Sequence, residues 1–318
     1  MKTNAIIRIV LFSLGILILT GILITALGIR FFIVDTSLIT TEEYSLPIVS
    51  DGYLSSGSVN ADAIRNLDIE WVSGTITITP QEGIYEIVAT ENCGNEKYQM
   101  VYSVIGDTLK IQFCADSMKF SILGINSNIS KDLEIIVPVD WVCNDLSIDA
   151  AASDVTVNSI AIKEMDFDGA SGQLHFHDCN VQNLDIDTAS GDVEFNGTLE
   201  HLDFDAVSAS FIGHIHNCPS VMDMDSLSGK LTLYLPSDCG FIVTKESLSG
   251  RIHSDFEFSS LHKGIVHGDG SCKIEISGLA DDITINKHTT AETPPCNDPN
   301  CTDRTHNHQP HHSEATHH

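Results

Sequence analysis

The sequence predicts an all-β chain: a single-domain parallel β-solenoid, a β-helix-like stack, with one apolar helix before it and a disordered histidine-rich tail after it. Three observations predict this. A twelve-residue phrase recurs through the middle of the chain, as in LDIDTASGDVEF from 184. Apolar residues alternate within each copy, the period of a strand with one buried face. The copies return about every 20 residues with no helical pattern between them, the mark of a solenoid of short strands.

The first element is IVLFSLGILILTGILITALGI, an uncharged run between Arg8 and Arg30. At about 1.5 Å per residue it crosses a hydrocarbon core of roughly 30 Å. Residues 9–34 are therefore expected to form a transmembrane helix. A cleaved signal peptide is the competing reading, but the apolar run exceeds the usual core of about 7–15 residues. Lys2 and Arg8 place residues 1–8 in the cytoplasm and the body outside, as a single-pass protein of the cell membrane. Residues 35–66 read as a linker and lead-in to the domain at 67–287.

The repeat begins with LDIEWVSGTITI from 67 and resumes as LSIDAAASDVTV from 146, MDFDGASGQLHF from 165, LDIDTASGDVEF from 184, LDFDAVSASFIG from 202 and MDMDSLSGKLTL from 222. The corner serines Ser153, Ser171, Ser190, Ser208 and Ser228 recur every 18 to 20 residues, and Ser249 with Gly250 adds a further turn. Stacking puts Leu146, Met165, Leu184, Leu202 and Met222 in one inward column and Ile148, Phe167, Ile186, Phe204 and Met224 in the next. One copy cannot bury its apolar face alone. Gly172, Gly191, Gly229 and Gly250 follow the serines because the corner is expected to need positive φ. Asp154 is a tolerable substitute there, whereas the Cβ of Ala209 should leave its turn differently cornered.

Residues 80–141 interrupt the pattern with longer β-like stretches, GIYEIVATE, QMVYSVIGDTLKIQF, MKFSILGI and DLEIIVPVDW. They read as a broad first layer capping the stack. GDGSCKIEISGLADDITINK from 268 reads as the closing strands. After Lys287 the hydrophobic signal stops, and residues 288–318 read as a disordered tail rich in Cys and His.

LEIIVPVDW leading into LSIDAAASDVTV, the SG-cornered copies and the GDGSCKIEISGLADDITI ending together resemble the bacterial toast-rack family, an adhesin-type domain of unknown function found in envelope proteins. The resemblance covers about Leu67 to Asn286. It implies a stack of parallel strands displayed at the cell surface, with an adhesive or envelope-stress role, and it brings no catalytic residues.

Forty-four acids against 16 Lys and Arg give a formal charge of -28, which repels nucleic acid and excludes it as a partner. The acids are also ordered. Asp149, Asp168, Asp187, Asp205 and Asp225 fall in one outward column, and Asp166, Asp185, Asp203 and Asp223 in its neighbour. Repeating at about 4.8 Å, such charges repel by roughly 0.9 kcal/mol in water and more near a protein surface. A column of this kind is either a solvated face or a collector of Ca²⁺, whose ligands are carboxylate oxygens. Asp149, Asp168, Asp185, Asp187, Asp205 and Asp225 are the calcium candidates.

In the tail, Cys296, Cys301, His306, His308, His311 and His312 supply ligands suited to zinc or nickel, although their spacing fits no closed zinc module. His175, His177, His214, His216 and His253 stand at outward or corner positions; a transition-metal site there would need His177 and His214 to face each other across the turn at Asn196, and a solvated surface role is the simpler reading. Nine cysteines leave connectivity open; expected strand proximity suggests Cys93 with Cys114 and Cys218 with Cys239, and buried thiols are the alternative. Cation-poor coils without a groove-forming insertion argue against an enzyme, since lyase-type chemistry on acidic polymers needs basic residues beside the acids. No cofactor is required.

The sequence therefore reads as a membrane-anchored, extracytoplasmic binding or structural module of a bacterial envelope. Its partner and oligomeric state are unspecified. The alternative is a surface metal-binding or metal-responsive protein that acts through the tail or the Asp columns.

Overall fold

The computed structural model describes residues 54–93, 98–114 and 130–288. The predicted membrane helix at 9–34, the tail ligands from Cys296 onward and the stretch MKFSILGI all lie outside the described residues. Within the described residues the chain is all-β, with one 3₁₀ turn at Ala61–Ala63.

The strands are β1 (Leu54–Asn60), β2 (Asn66–Gln81), β3 (Glu86–Asn92), β4 (Val101–Ile105), β5 (Thr108–Gln112) and β6 (Lys131–Pro138). The repeats follow as β7 (Val142–Asn158), β8 (Ala161–Ser171), β9 (Gln173–Ile215) and β10 (Val221–Leu235). The chain closes with β11 (Phe241–Ser249), β12 (Ile252–Ser254), β13 (Ser259–Leu261), β14 (Gly264–His267), β15 (Cys272–Ala280) and β16 (Asp282–Lys287). All sixteen belong to one sheet that bends round its corners, parallel through the repeats and antiparallel at both ends.

The early copy in β2 pairs with β7 directly, Leu67 opposite Leu146 and Ile69 opposite Ile148. On its other side, β5 lies against the first half of β2 and β6 against the second. Strands β3 to β6 thus form the predicted capping layer beyond β2, and β1 adds to it by pairing with β3.

At the far end, spatial order departs from chain order. The closing strands do not follow the Ser249 turn. Instead β15 lies between β10 and β11, and β16 between β10 and β12. The outermost layer is β11 with the β13–β14 hairpin.

Both predicted inward columns are buried from Leu146 to Met222 and from Ile148 to Met224. Phe176, Phe195 and Phe211 fill the interior after the corner, with ring centroids 5.6 Å apart for Phe176 and Phe195. Burial at about 25 cal/mol per Å² of apolar area makes this stack the main favourable contribution to folding.

The corners are of two kinds. Gly172, Gly191 and Gly250 have φ of 143°, 145° and 97°. A Cβ on Gly172 would sit 2.0 Å from the Ser153 carbonyl oxygen, and one on Gly191 2.1 Å from that of Gly172. Close stacking of corner on corner therefore excludes a side chain. Gly229 corrects the expectation: it is not among the positive-φ glycines, and neither is Ala209, its partner in register. The Ala209 turn is differently cornered, as predicted, and it carries its neighbour with it. Asp281 fills the space at that neighbour: its buried carboxylate accepts from the Ser226 hydroxyl and from the Gly229 amide at 3.1 Å.

Each coil also has a second corner after the inward phenylalanine or valine. There Ser159 and Asp178 adopt φ of 48° and 53°. Beyond it Ile162 and Val181 turn back into the core.

A buried ion pair closes the capping layer. Lys131 donates to Glu91 and, at 2.7 Å, to the carbonyl of Tyr98, while its ammonium stands 4.0 Å from the Phe113 ring centroid and 4.6 Å from that of Trp71. Cys218 and Cys239 are disulfide-bonded, as strand proximity suggested. Cys143, Cys179 and Cys272 are buried thiols; burial pushes Cys143 and Cys272 up to about 12.

Candidate functional site

The acidic face follows from strict register. Across β7, β8 and the first coil of β9, Asp149 pairs with Asp168 and Asp168 with Asp187, while Asp166 pairs with Asp185. Between the last coil of β9 and β10, Asp203 pairs with Asp223 and Asp205 with Asp225. Each of these aspartates thus lies opposite another on a neighbouring coil. Period-two alternation sends these side chains outward whenever their apolar neighbours point in.

The face is longer than the five central copies. Glu70 opposes Asp149 at one end, and Glu275 opposes Asp223 at the other. Beyond Glu70 the column meets a cation, Lys110 on β5, which reaches Asp68 at 2.8 Å and Glu70 at 2.5 Å. Gln112 adds a 2.8 Å hydrogen bond to Glu70. Sequence reasoning missed Lys110 because β5 enters the stack from the interrupting segment.

Stacking shifts the carboxyls. Partial burial, then Asp168, raises Asp149 and Asp187 to about 6. Asp205 is raised to about 7 by partial burial, then by Asp187 and Asp203. Asp185 is raised by partial burial, then by Asp203, and Asp223 by partial burial, then by Asp225. Among the described residues, no three His, Cys, Asp or Glu side chains are arranged to hold a metal ion. The carboxylates run in a line along the stacking direction.

The second outward face carries the histidines. His175 and His177 lie on β9 with parallel rings 6.2 Å apart, and His175 stands 3.5 Å from Glu194. Two coils further along the same long strand, His214 stacks on Tyr234 of β10 with centroids 4.3 Å apart. His288, just past β16, approaches both His216 at 5.4 Å and His214 at 6.4 Å, centroid to centroid. Burial lowers His214, and the neighbouring His288 and His216 lower it further against an opposing pull from Glu194.

The repeat, its corners and its capping layer can be compared with known proteins. The family described as Toastrack DUF4097 matches residues 64–286. The chain belongs to the Toastrack DUF4097 family. No curated protein matches it in sequence. Among solved structures similar to this Toastrack chain is one described as a "putative adhesin" from Bacteroides fragilis, 14% identical, with a TM-score of 0.40 over 73% of this chain and 96% of that one. Another, a "putative cell adhesion protein" from Clostridium sporogenes, is 13% identical, with a TM-score of 0.36 over 74% and 98%. A third, from Parabacteroides distasonis, is described as a "putative lipid binding protein"; it is 16% identical, with a TM-score of 0.35 over 73% and 97%.

Proposed function

We propose that this Toastrack chain is a non-catalytic binding or structural module of a bacterial envelope, anchored by its N-terminal apolar segment and displayed outside the membrane. The observation that carries the reading is the acidic face, in which Glu70, Asp149, Asp168, Asp187, Asp205 and Asp225 project from successive coils, with Lys110 paired at the Glu70 end. Folding does not require these carboxylates, and their mutual repulsion opposes it. Such a face suits a cationic surface partner, such as a basic protein segment, held by complementary charge. The Cys218–Cys239 disulfide supports an oxidising compartment.

Binding of the full chain to a lysine-rich peptide tests the role of the face. Neutralising Asp149, Asp187 and Asp205 to Asn should weaken binding well beyond neutralising the exposed Asp178, Asp192 and Glu200. Equal losses would mean that net charge alone acts and would remove the face as a binding surface. Protease accessibility on intact cells tests the location: digestion of the solenoid from outside is expected, and protection would overturn it.

A further inference from the structure

We propose that His214, His216 and His288 form a binding site for a borderline divalent metal ion, zinc in the first instance, on the face of the solenoid opposite in sequence role to the Asp columns. The site differs from both the tail ligands and the carboxylates, and three observations carry it.

His214 and His216 are two residues apart in β9, so their imidazoles leave the same face of one strand. Their intervening residue, Ile215, is fully buried, which anchors that orientation. The third imidazole comes from another strand. His288 lies just beyond β16, where its amide donates to the Leu235 carbonyl at 2.6 Å as β10 ends. Its ring therefore reaches His216 and His214 at 5.4 and 6.4 Å.

Those spacings are slightly wider than a shared ion requires. Three imidazoles bound tetrahedrally at about 2.0–2.1 Å have ring centroids about 5 Å apart. The rings as they stand do not converge on one point. His216 is exposed and His288 half-exposed, so both side chains have room to rotate. Stacking on Tyr234 holds His214 as the fixed member of the set. Imidazole ligands select zinc, copper or nickel over calcium and magnesium. Three protein ligands leave a fourth position facing solvent, open to water or to a donor from another molecule.

The test is thermal melting of the full chain with and without zinc chloride. Because the ligands come from β9 and from the residue just after β16, bound zinc stabilises the folded solenoid and raises its melting temperature. A rise of about 5 to 10 °C is expected at free zinc a hundredfold above the dissociation constant. H216N and H288N should each abolish the rise while melting like the wild type without metal. A variant with Cys296, Cys301, His306, His308, His311 and His312 replaced by Ala should keep it. Should either single variant prove misfolded, the visible spectrum of bound Co²⁺ in H214N supplies the same comparison, with loss of the tetrahedral bands expected. A rise that survives H216N and H288N, one that vanishes with the tail ligands, or none at saturating zinc would overturn the proposal.

Discussion

Lys131 and Glu91 form an ion pair with side-chain exposures of 1% and 0%, and Glu91 also accepts from the Met100 amide at 2.6 Å. The pair joins β3 and β6 to the loop before β4. Removing the lysine strands a buried carboxylate, which typically costs about 3–5 kcal/mol. K131M should therefore lower stability by about that amount in urea unfolding. The double variant K131M/E91L should recover part of the loss, since a well-packed apolar pair removes the desolvation penalty.

The corner glycines predict a contrast between neighbours. G191A forces a Cβ to within 2.1 Å of the Gly172 carbonyl oxygen at a φ of 145°. It should cost about 2 kcal/mol or more in denaturant unfolding. A209G, at a corner without positive φ, should change stability by about 1 kcal/mol or less. Equal effects would show that the two corner types do not differ in the folded protein.

The acidic face predicts a pH dependence of definite sign. Asp149 and Asp187 sit at about 6 and Asp205 at about 7, against about 3.9 for Asp in the unfolded chain. Between those values the folded state binds more protons than the unfolded one. Stability must therefore rise as pH falls from about 8 to about 5. After discounting for solvent screening of half-exposed groups, the gain is about 1–3 kcal/mol in total. D187N/D205N should be more stable than wild type at pH 8 and show a flatter profile, measured by melting temperature against pH.

Reduction of the Cys218–Cys239 bond should loosen the far end of the stack. The two residues are 21 apart in sequence, and closing a loop of that size is worth about 3 kcal/mol. C218S/C239S should lose about that much stability, and hydrogen exchange should rise first in β10 and β11. The buried Cys143, Cys179 and Cys272 should resist thiol reagents until the chain unfolds.

The repeated coils were legible because one face is buried and the strand period is two. Leu184 and Ile186 had to point in, which sent Asp185 and Asp187 out. What the sequence did not show is pairing between segments far apart in the chain. Nothing local to Ile274 or Ile283 says that β15 and β16 lie between β10 and the later β11 and β12. That order depends on which edge each strand finds. The same limit hid Lys110 at the end of the acidic column, Asp281 beneath the Gly229 corner and His288 beside His216. The second corner escaped for another reason. Ser159 and Asp178 hold positive φ without glycine, so no residue type marked the bend in their coils, although Gly197 does in the next.

Gly172 resting on Ser153, and Gly191 on Gly172, sets the increment by which the chain measures distance. Each coil of 18 to 20 residues adds one strand spacing, about 4.8 Å, without altering the coils before it. Duplicating or deleting a coil in this family therefore changes reach in fixed steps. The solenoid is a ruler whose length evolution can set by counting.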